Sequence, residues 1–187
     1  MDYYLDFTIR KNPEITDSQV LNISFSKLHQ ALVRLQSNQI GISFPEAGKN
    51  DKTLGTRLRI HGLASGLDEL MKLNWFFSLN DYIDISGINK IPAKTQHRFI
   101  QRIQSKSSAE RLRRRLMKRH YIDENTALER IPDQVSKTLQ LPFLQIMSGS
   151  TGQQFKLFLS HGPLLDEEVL GLFNSYGLSK GGTVPWF

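Results

Sequence analysis

Histidine is the side chain best suited to moving protons near neutral pH, and the sequence contains five: His29, His61, His97, His120 and His161. None of them forms an HExxH motif or stands in a cluster of carboxylates, so we predict no metal site and no cofactor. A single histidine on a helix is more often structural than catalytic. His29, on a helical segment beside Leu28 and Leu32, is still a candidate for general acid–base chemistry.

Hydroxyl groups are concentrated in the segment SGSTG, residues 148–152. Ser148, Ser150 and Thr151, together with exposed backbone N–H groups, would suit a phosphate. The same composition is typical of any hairpin loop, and the residues alone leave both interpretations open.

Arg102 and Gln104 stand two apart in HRFIQRIQ, residues 97–104, which alternates like a strand and places them with Arg98 on one face. Arginine can donate two hydrogen bonds to guanine, and glutamine can pair in the same way with adenine. A solvent-facing strand surface is the alternative, but the basic segment that follows favours base contact. Phe155, predicted on another strand, could stack on a terminal base pair or pack in the core.

The segment SSAERLRRRLMKRH, residues 107–120, is predicted to be a basic helix. Ser107 and Glu110 form a capping box at its start, and Leu112, Leu116 and Met117 give it one narrow apolar stripe. The remaining positions are cationic: Arg111, Arg113, Arg114, Arg115, Lys118 and Arg119, with His120 at the end. Six cations on one rod of roughly 21 Å repel one another and would cost stability without an anionic partner. A solvated basic face is the alternative, but acidic residues are almost absent from this helix and its apolar anchor is small. The helix is therefore predicted to bind nucleic acid.

The distribution of charge supports this prediction. The net charge of the chain is +6. Residues 94–120 contain ten Lys and Arg against one acid and so carry +9, which leaves −3 for the rest of the chain. Positive charge concentrated in this way suits the dense negative charge of a nucleic-acid duplex better than a membrane surface.

Composition excludes several chemistries. The 187 residues include no cysteine, which rules out disulfides, a thiolate nucleophile and Cys-ligated zinc. Hydrophobic content of 39% and charged content of 22% are ordinary for a globular protein. The sequence has no apolar run long enough to span a bilayer and no secretory leader. We therefore expect a cytoplasmic, metal-independent protein with no membrane partner.

The elements that must position these residues follow from hydrophobic periodicity. Strands are predicted at residues 3–10, 40–44, 54–61 and 81–85, with helices at 18–36, capped by Asp17, and at 65–73. The first helix should bury Val20, Ile23, Phe25 and Leu28 with the leucines that follow. This order of strand, helix, strand, strand, helix, strand predicts a ferredoxin-like domain in an α+β protein.

The second half of the chain is predicted to form a nucleic-acid-binding domain over residues 95–187, after a ferredoxin-like domain over 1–94. Its elements are the strand 97–104, the basic helix, short helices at 123–130 and 133–139, and strands at 143–147 and 154–160. A glycine-rich tail, YGLSKGGTVPWF, ends the sequence.

From end to end the chain resembles the type I-F CRISPR-associated endoribonucleases, a family that cuts precursor CRISPR RNA. The resemblance is carried by MDYYLDFTIR, FSKLHQALV, GISFP and RLRIH in the first half. In the second half it is carried by QRIQSKSSAERLRRRLMKRH, the STGQ hairpin and YGLSKGGTVPWF. The resemblance implies a ferredoxin-like domain followed by a domain whose arginine-rich helix enters the major groove of a CRISPR-repeat hairpin.

The resemblance also implies roles for individual residues. It implies that His29, Ser148 and Tyr176 form the active site, with His29 as general base, Ser148 positioning the 2′-OH and Tyr176 orienting His29 or the flanking nucleotide. It implies that Arg102 and Gln104 read the lowest base pairs of the stem and that Phe155 stacks on its end. The other RNA-binding residues it implies are Ser107, Arg111, Arg114, Arg115, Lys118, Arg119, His120, Ser150 and Thr151.

The implied reaction is attack of a ribose 2′-OH on the adjacent phosphate at the 3′ base of the stem. It gives a 5′-OH fragment and a 2′,3′-cyclic or 3′-phosphate end, without a metal. The mature CRISPR RNA would then be retained, and other subunits of the type I-F surveillance complex would be partners. Two further hypotheses are a hairpin-binding subunit without cleavage and a ribosomal-type structural RNA binder.

Overall fold

The computed structural model of the chain describes residues 1–47, 53–104, 109–131, 140–148 and 152–187. The chain divides into two compact units, Met1–Arg102 with Leu141–Phe187, and Ile103–Gln140. Helices and antiparallel sheets together confirm the predicted α+β class. The division of the chain at residue 94 stays a prediction. None of the helices described is long and apolar enough to cross a membrane.

The main sheet of the first unit is antiparallel. Its strands are β1 (Tyr3–Ile9), β2 (Gly41–Ser43), β3 (Arg57–Gly62), β4 (Ile83–Ile85) and β5 (Asn89–Lys90). The order is β2-β3-β1-β4, with β5 also pairing with β1. Alternation along β1 buries Leu5, Phe7 and Ile9, which face the core. The four strands predicted in this half are confirmed to within a few residues.

Helix α1 (Asp17–Leu35) packs its apolar face on this core. Its N-cap is Thr16 and not the predicted Asp17, because Thr16 and Gln19 form the reciprocal pair of a capping box. The predicted buried face of α1 was also wrong at one position. Ile23 is 41% exposed, whereas Leu21 and Ser24 are buried, because the inward face of the helix runs through 21, 24, 28 and 31 at 3.6-residue spacing.

A second helix, α2 (Ala64–Lys72), confirms the other helix predicted in this half. Leu67 and Leu70, three residues apart, are both fully buried against the core. A short 3-10 turn, Phe77–Leu79, then leads into β4.

The predicted strand 97–104 is two strands, β6 (Gln96–Arg98) and β7 (Ile100–Ile103). The interruption falls at Phe99, whose carbonyl accepts from Gly162 N–H. Arg98 donates to the Gly162 carbonyl at 2.6 and 3.0 Å, and its guanidinium lies 4.4 Å from the Trp186 ring centre. The prediction that Arg98 shares an outward face with Arg102 was therefore wrong, because strict alternation does not continue across the break.

Strand β7 belongs to a three-stranded sheet with β8 (Phe143–Met147) and β9 (Gln154–His161), in the order β7-β9-β8. These two strands confirm the predicted hairpin. The glycine-rich tail is more ordered than its composition indicated. Strand β10 (Leu172–Phe173) precedes it and pairs with β11 (Ser179–Lys180) inside it. The tail also contains β12 (Val184–Trp186), which pairs with β6.

The second unit contains α3 (Ala109–His120) and α4 (Glu124–Arg130). Asp123 caps α4 by accepting from Thr126 N–H at 3.0 Å. Arg113 of α3 donates to the carbonyl of Ile131, the residue after α4, at 3.0 Å and so links the two helices. The predicted start of α3 at residue 107 and the helix at 133–139 lie outside the described residues.

We predict that acid destabilises the first unit through His61. His61 is fully buried, and its Nε2 lies 2.8 Å from the Ser43 hydroxyl. Burial lowers the pKa of His61 well below its usual range. The imidazole stays neutral in the folded chain but takes up a proton in the unfolded chain below pH ~6.5. The free energy of unfolding should therefore fall below that pH, by up to ~1.4 kcal/mol per pH unit for each such group.

Urea unfolding at several pH values between 8 and 5 measures this dependence. His161, whose pKa burial lowers to about 4, contributes in the same direction, so the comparison must be made with His61→Gln. That variant should be less stable at pH 8 but should lose less stability on acidification. Equal slopes for the two proteins would contradict the prediction.

Candidate active site

A cleft of about 710 Å³ in the first unit contains the three residues that the sequence singled out for catalysis. It is lined by residues of α1, β7, the β8–β9 hairpin and the tail. The lining residues are Ser26, His29, Gln30, Val33, Arg34, Arg102, Ile146, Met147, Ser148, Gln153, Gln154, Phe155 and Tyr176. The main chain thus brings together positions from four separate parts of the sequence.

The imidazole of His29 is held by two contacts. Its Nδ1 lies 2.7 Å from the carbonyl oxygen of Ser175, and its ring stacks on Tyr176 with 3.9 Å between centroids and 8° between planes. A carbonyl oxygen only accepts hydrogen bonds, so Nδ1 carries the proton. In the neutral imidazole Nε2 then has a free lone pair. The contact therefore prepares His29 to accept a proton at Nε2.

Tyr176 and Ser175 are positioned by a tight turn. Asn174 organises it, with its side chain accepting from Tyr176 N–H at 2.9 Å and its carbonyl accepting from Gly177 N–H at 2.8 Å. Gly177 has a φ of +72°, and a Cβ there would lie 2.7 Å from Ile42. Only glycine meets both demands. Tyr176 also stacks on Phe25 at 6.0 Å, which links the turn to the buried face of α1.

Ser148 follows directly after β8. Its N–H donates to the Gln153 carbonyl at 2.9 Å, and its own carbonyl accepts from Gly152 N–H at 2.8 Å. Strand β8 is tied to α1 because Gln145 N–H donates to the Asn22 side chain at 3.0 Å. The helix that carries His29 therefore also fixes the strand that presents Ser148.

Arg102 and Phe155 form another part of the cleft wall. The guanidinium of Arg102 lies 5.5 Å from the centre of the Phe155 ring, within range of a cation–π contact. Phe155 is half-buried, since it packs on the core from β9 while also lining the cleft. The two roles considered for Phe155 are thus both compatible with its position.

The remaining predicted RNA-binding residues that the structure describes belong to the second unit. Gln104 follows β7 and is exposed, and Arg111, Arg114, Arg115, Lys118, Arg119 and His120 are all exposed on α3. Positions four apart, such as Arg115 and Arg119, share one side of the helix. Ser107, Ser150 and Thr151 lie outside the described residues.

Sequence reasoning missed several polar residues of the cleft. Gln30 and Arg34 are four apart on α1 and line it with His29. Helical spacing from His29 could have identified them, because positions 26, 30 and 34 form a row next to it. Gln153 and Gln154 were also missed, since a glutamine at the start of a strand has no distinctive pattern.

The cleft has a cationic lining. Among the described residues that line it, Arg34 and Arg102 are charged and none is an aspartate or glutamate. No group of three or more His, Cys, Asp or Glu side chains that could hold a metal ion occurs within the described part of the chain. The arrangement suits a substrate with negative charge, and it offers a proton acceptor and a hydroxyl next to that charge.

Comparison with known proteins places this α+β chain in a family. Residues 4–187 match the family described as CRISPR-associated protein (Cas_Csy4). The chain is 47% identical over 187 residues to the CRISPR-associated endonuclease Cas6/Csy4 of Pseudomonas aeruginosa (strain UCBPP-PA14), covering 100% of both proteins. It is 40% identical, again over 100% of both, to the protein of the same name from Escherichia coli (strain UTI89 / UPEC). The chain belongs to the Cas_Csy4 family, which confirms the resemblance found in its sequence.

Proposed function

We propose that this protein is a metal-independent endoribonuclease that cuts precursor CRISPR RNA at the 3′ base of the repeat stem-loop. The observation that carries the proposal is the hydrogen bond from His29 Nδ1 to the Ser175 carbonyl, at 2.7 Å. It leaves Nε2 as a proton acceptor in a cleft that also contains Ser148 and a cationic wall. Two full-length relatives named as CRISPR-associated endonucleases support the same activity.

In the proposed reaction His29 Nε2 removes the proton of a ribose 2′-OH, whose oxygen attacks the adjacent phosphorus. The bond from phosphorus to the 5′ oxygen of the next nucleotide breaks, and that oxygen takes up a proton. The products are a 5′-OH fragment and a 2′,3′-cyclic phosphate, which can open to a 3′-phosphate. The nucleophile belongs to the substrate and the base to the protein, so the step requires no metal.

Ser148 and Tyr176 are proposed to position the reacting groups. Ser148 would hold the 2′-OH in line with the scissile bond, which is an effect of orientation. Tyr176 would fix the plane of the His29 imidazole through the stack at 3.9 Å. Arg102 would bind the lowest base pair of the stem beside Phe155, with Gln104 reading the next one.

Binding of the hairpin is assigned to the basic helix. Arg111, Arg114, Arg115, Lys118, Arg119 and His120 are exposed on α3, and we propose that they enter the major groove of the stem with Ser107. The A-form major groove is normally narrow, but a short stem opens near its ends and admits a thin rod. Ser150 and Thr151 are proposed to contact the RNA near the cut.

Two further features complete the proposal. The antiparallel order β2-β3-β1-β4, with α1 and α2 in the connections, supports a ferredoxin-like arrangement of the N-terminal elements. After cleavage the protein would retain the mature CRISPR RNA and join other subunits of the type I-F surveillance complex, in the prokaryotic cytoplasm.

Cleavage assays on a repeat hairpin with a 3′ extension test the proposed chemistry. In EDTA the wild-type protein should cut the RNA at one phosphate and leave a 5′-OH. A single 2′-deoxy substitution immediately before that phosphate removes the nucleophile, so cutting there should fall below detection while the affinity stays the same. Cleavage of the deoxy substrate at an undiminished rate would refute the mechanism. Tight binding without cleavage of either RNA would instead favour a hairpin-binding subunit.

A further inference from the structure

The exposed side of α1 continues past the cleft into a second, smaller depression of about 140 Å³. Gln30 and Arg34 line both cavities, so these two side chains form a wall common to them. The second depression is completed by Lys27 and Ala31 of α1 and by Leu73 and Trp75, which follow α2. The polar surface therefore extends beyond the residues assigned to catalysis.

The chemistry of this surface is suited to a polyanion. Lys27 and Arg34 supply two positive charges, and neither forms an ion pair with any residue that the structure describes. No aspartate or glutamate is found among the described residues that line the depression. Leu73, 38% exposed, and the half-buried Trp75 give it an apolar floor that suits the face of a sugar or base.

The position of the surface determines which part of a nucleic acid can occupy it. The cleft is bounded by Arg102 and Phe155 on strands β7 and β9, and by Gln30 and Arg34 on α1. In the proposed function Arg102 and Phe155 bind the base of the stem, which lies on the 5′ side of the scissile phosphate. The chain of the RNA must leave the cleft elsewhere, and the α1 side offers uncompensated positive charge.

We propose that Arg34, with Gln30 and Lys27, binds the sugar–phosphate backbone of single-stranded RNA on the 3′ side of the scissile phosphate. This inference rests on the proposed function and adds a second contact site to it. Arg34 donates to the first phosphate beyond the cut, and Lys27 provides a second charge further along α1. The site holds the segment that cleavage releases.

A cation in the last turn of a helix has a simpler role, because it interacts favourably with the helix dipole. Arg34 occupies such a position in α1. That role affects stability and is independent of RNA, so the test must compare RNAs that differ only beyond the cut.

The experiment measures the dissociation constants of two RNAs with the whole protein. One hairpin ends at the scissile position, and the other carries four further nucleotides and a 2′-deoxy sugar that blocks cleavage. The wild-type protein should bind the extended RNA roughly five- to tenfold more tightly, the size expected of a charge-assisted contact. Arg34→Ala should remove most of this difference, since Lys27 is the weaker second contact, and Arg34→Lys should restore part of it.

Salt dependence and a control variant make the result specific. The extended RNA should show a steeper dependence of log Kd on log salt, by about 0.7 for each added phosphate contact, and Arg34→Ala should remove one such increment. Lys11→Ala removes one exposed charge of the first unit that lines neither cavity, and should keep the full difference.

Three results would overturn the inference: equal affinity of the wild-type protein for both RNAs, equal weakening of both RNAs by Arg34→Ala, or the same loss in Lys11→Ala. Each of these is compatible with normal cleavage of the precursor. Failure of the proposed function is separate, because it would appear as the absence of cutting in the wild-type protein.

Discussion

Replacing His29 with alanine should lower the rate of RNA cleavage by about 10²–10⁴-fold, the range typical of a general base. The affinity for the hairpin should stay within about twofold, because the charges proposed to bind RNA lie on other side chains. The rate should fall because the variant lacks the Nε2 lone pair that accepts the proton. In the wild type the Ser175 carbonyl fixes the proton on Nδ1 and so leaves this lone pair free. Single-turnover cleavage with protein in excess and filter binding with the 2′-deoxy RNA measure the two quantities separately.

A matched control is available in His97→Ala. His97 lines a different cavity, beside Thr95 and Glu168, and no part of the cleft, so its replacement should leave the cleavage rate close to that of the wild type. Free imidazole at high concentration should restore part of the activity of His29→Ala, because a small base can enter the space left by the ring. Undiminished cutting by His29→Ala would remove His29 from the mechanism. An equal loss in both affinity and rate would show that it acts in binding.

The positions of α1 and β1 could be predicted from the sequence because hydrophobic periodicity reports directly which face a helix or strand buries. The same pattern located His29 on α1 but gave it no distinction from a structural histidine. The contacts that hold its imidazole in the cleft come from Ser175 and Tyr176, near the other end of the chain. Periodicity contains no information about such distant contacts, and only the family resemblance linked these residues before the structure.

One error of prediction occurs where tertiary contacts override a local pattern. Residues 97–104 alternate strictly, yet the strand breaks at Phe99 because β6 pairs with β12 whereas β7 pairs with β9. Arg98 turns inward to the Gly162 carbonyl as a result. This outcome depends on partners that no window of a few residues includes. The misplaced N-cap of α1 is different, because Thr16 pairs with Gln19 only three residues away, and the capping-box pattern could have identified it from the sequence.

The double replacement Arg115→Ala with Arg119→Ala should weaken binding of the hairpin by about 10- to 100-fold, as the loss of two charge-assisted contacts with phosphate implies. The two side chains are exposed and four residues apart on one side of α3. The slope of log Kd against log salt should decrease by roughly 1.8, at about 0.9 per contact by analogy with duplex DNA. Titration of the 2′-deoxy hairpin at several salt concentrations measures both effects.

The same variant should cleave bound RNA at the wild-type rate when protein is in large excess, because neither side chain belongs to the cleft. Removing two like charges from a crowded cationic helix also lowers its self-repulsion, so thermal unfolding without RNA should occur at an equal or higher temperature. Arg113→Ala provides the contrast. Arg113 is half-buried and donates to the Ile131 carbonyl, so its loss should destabilise the second unit with little change in the salt slope. A double variant that binds as tightly as the wild type, with the same slope, would exclude this side of α3 from the RNA interface.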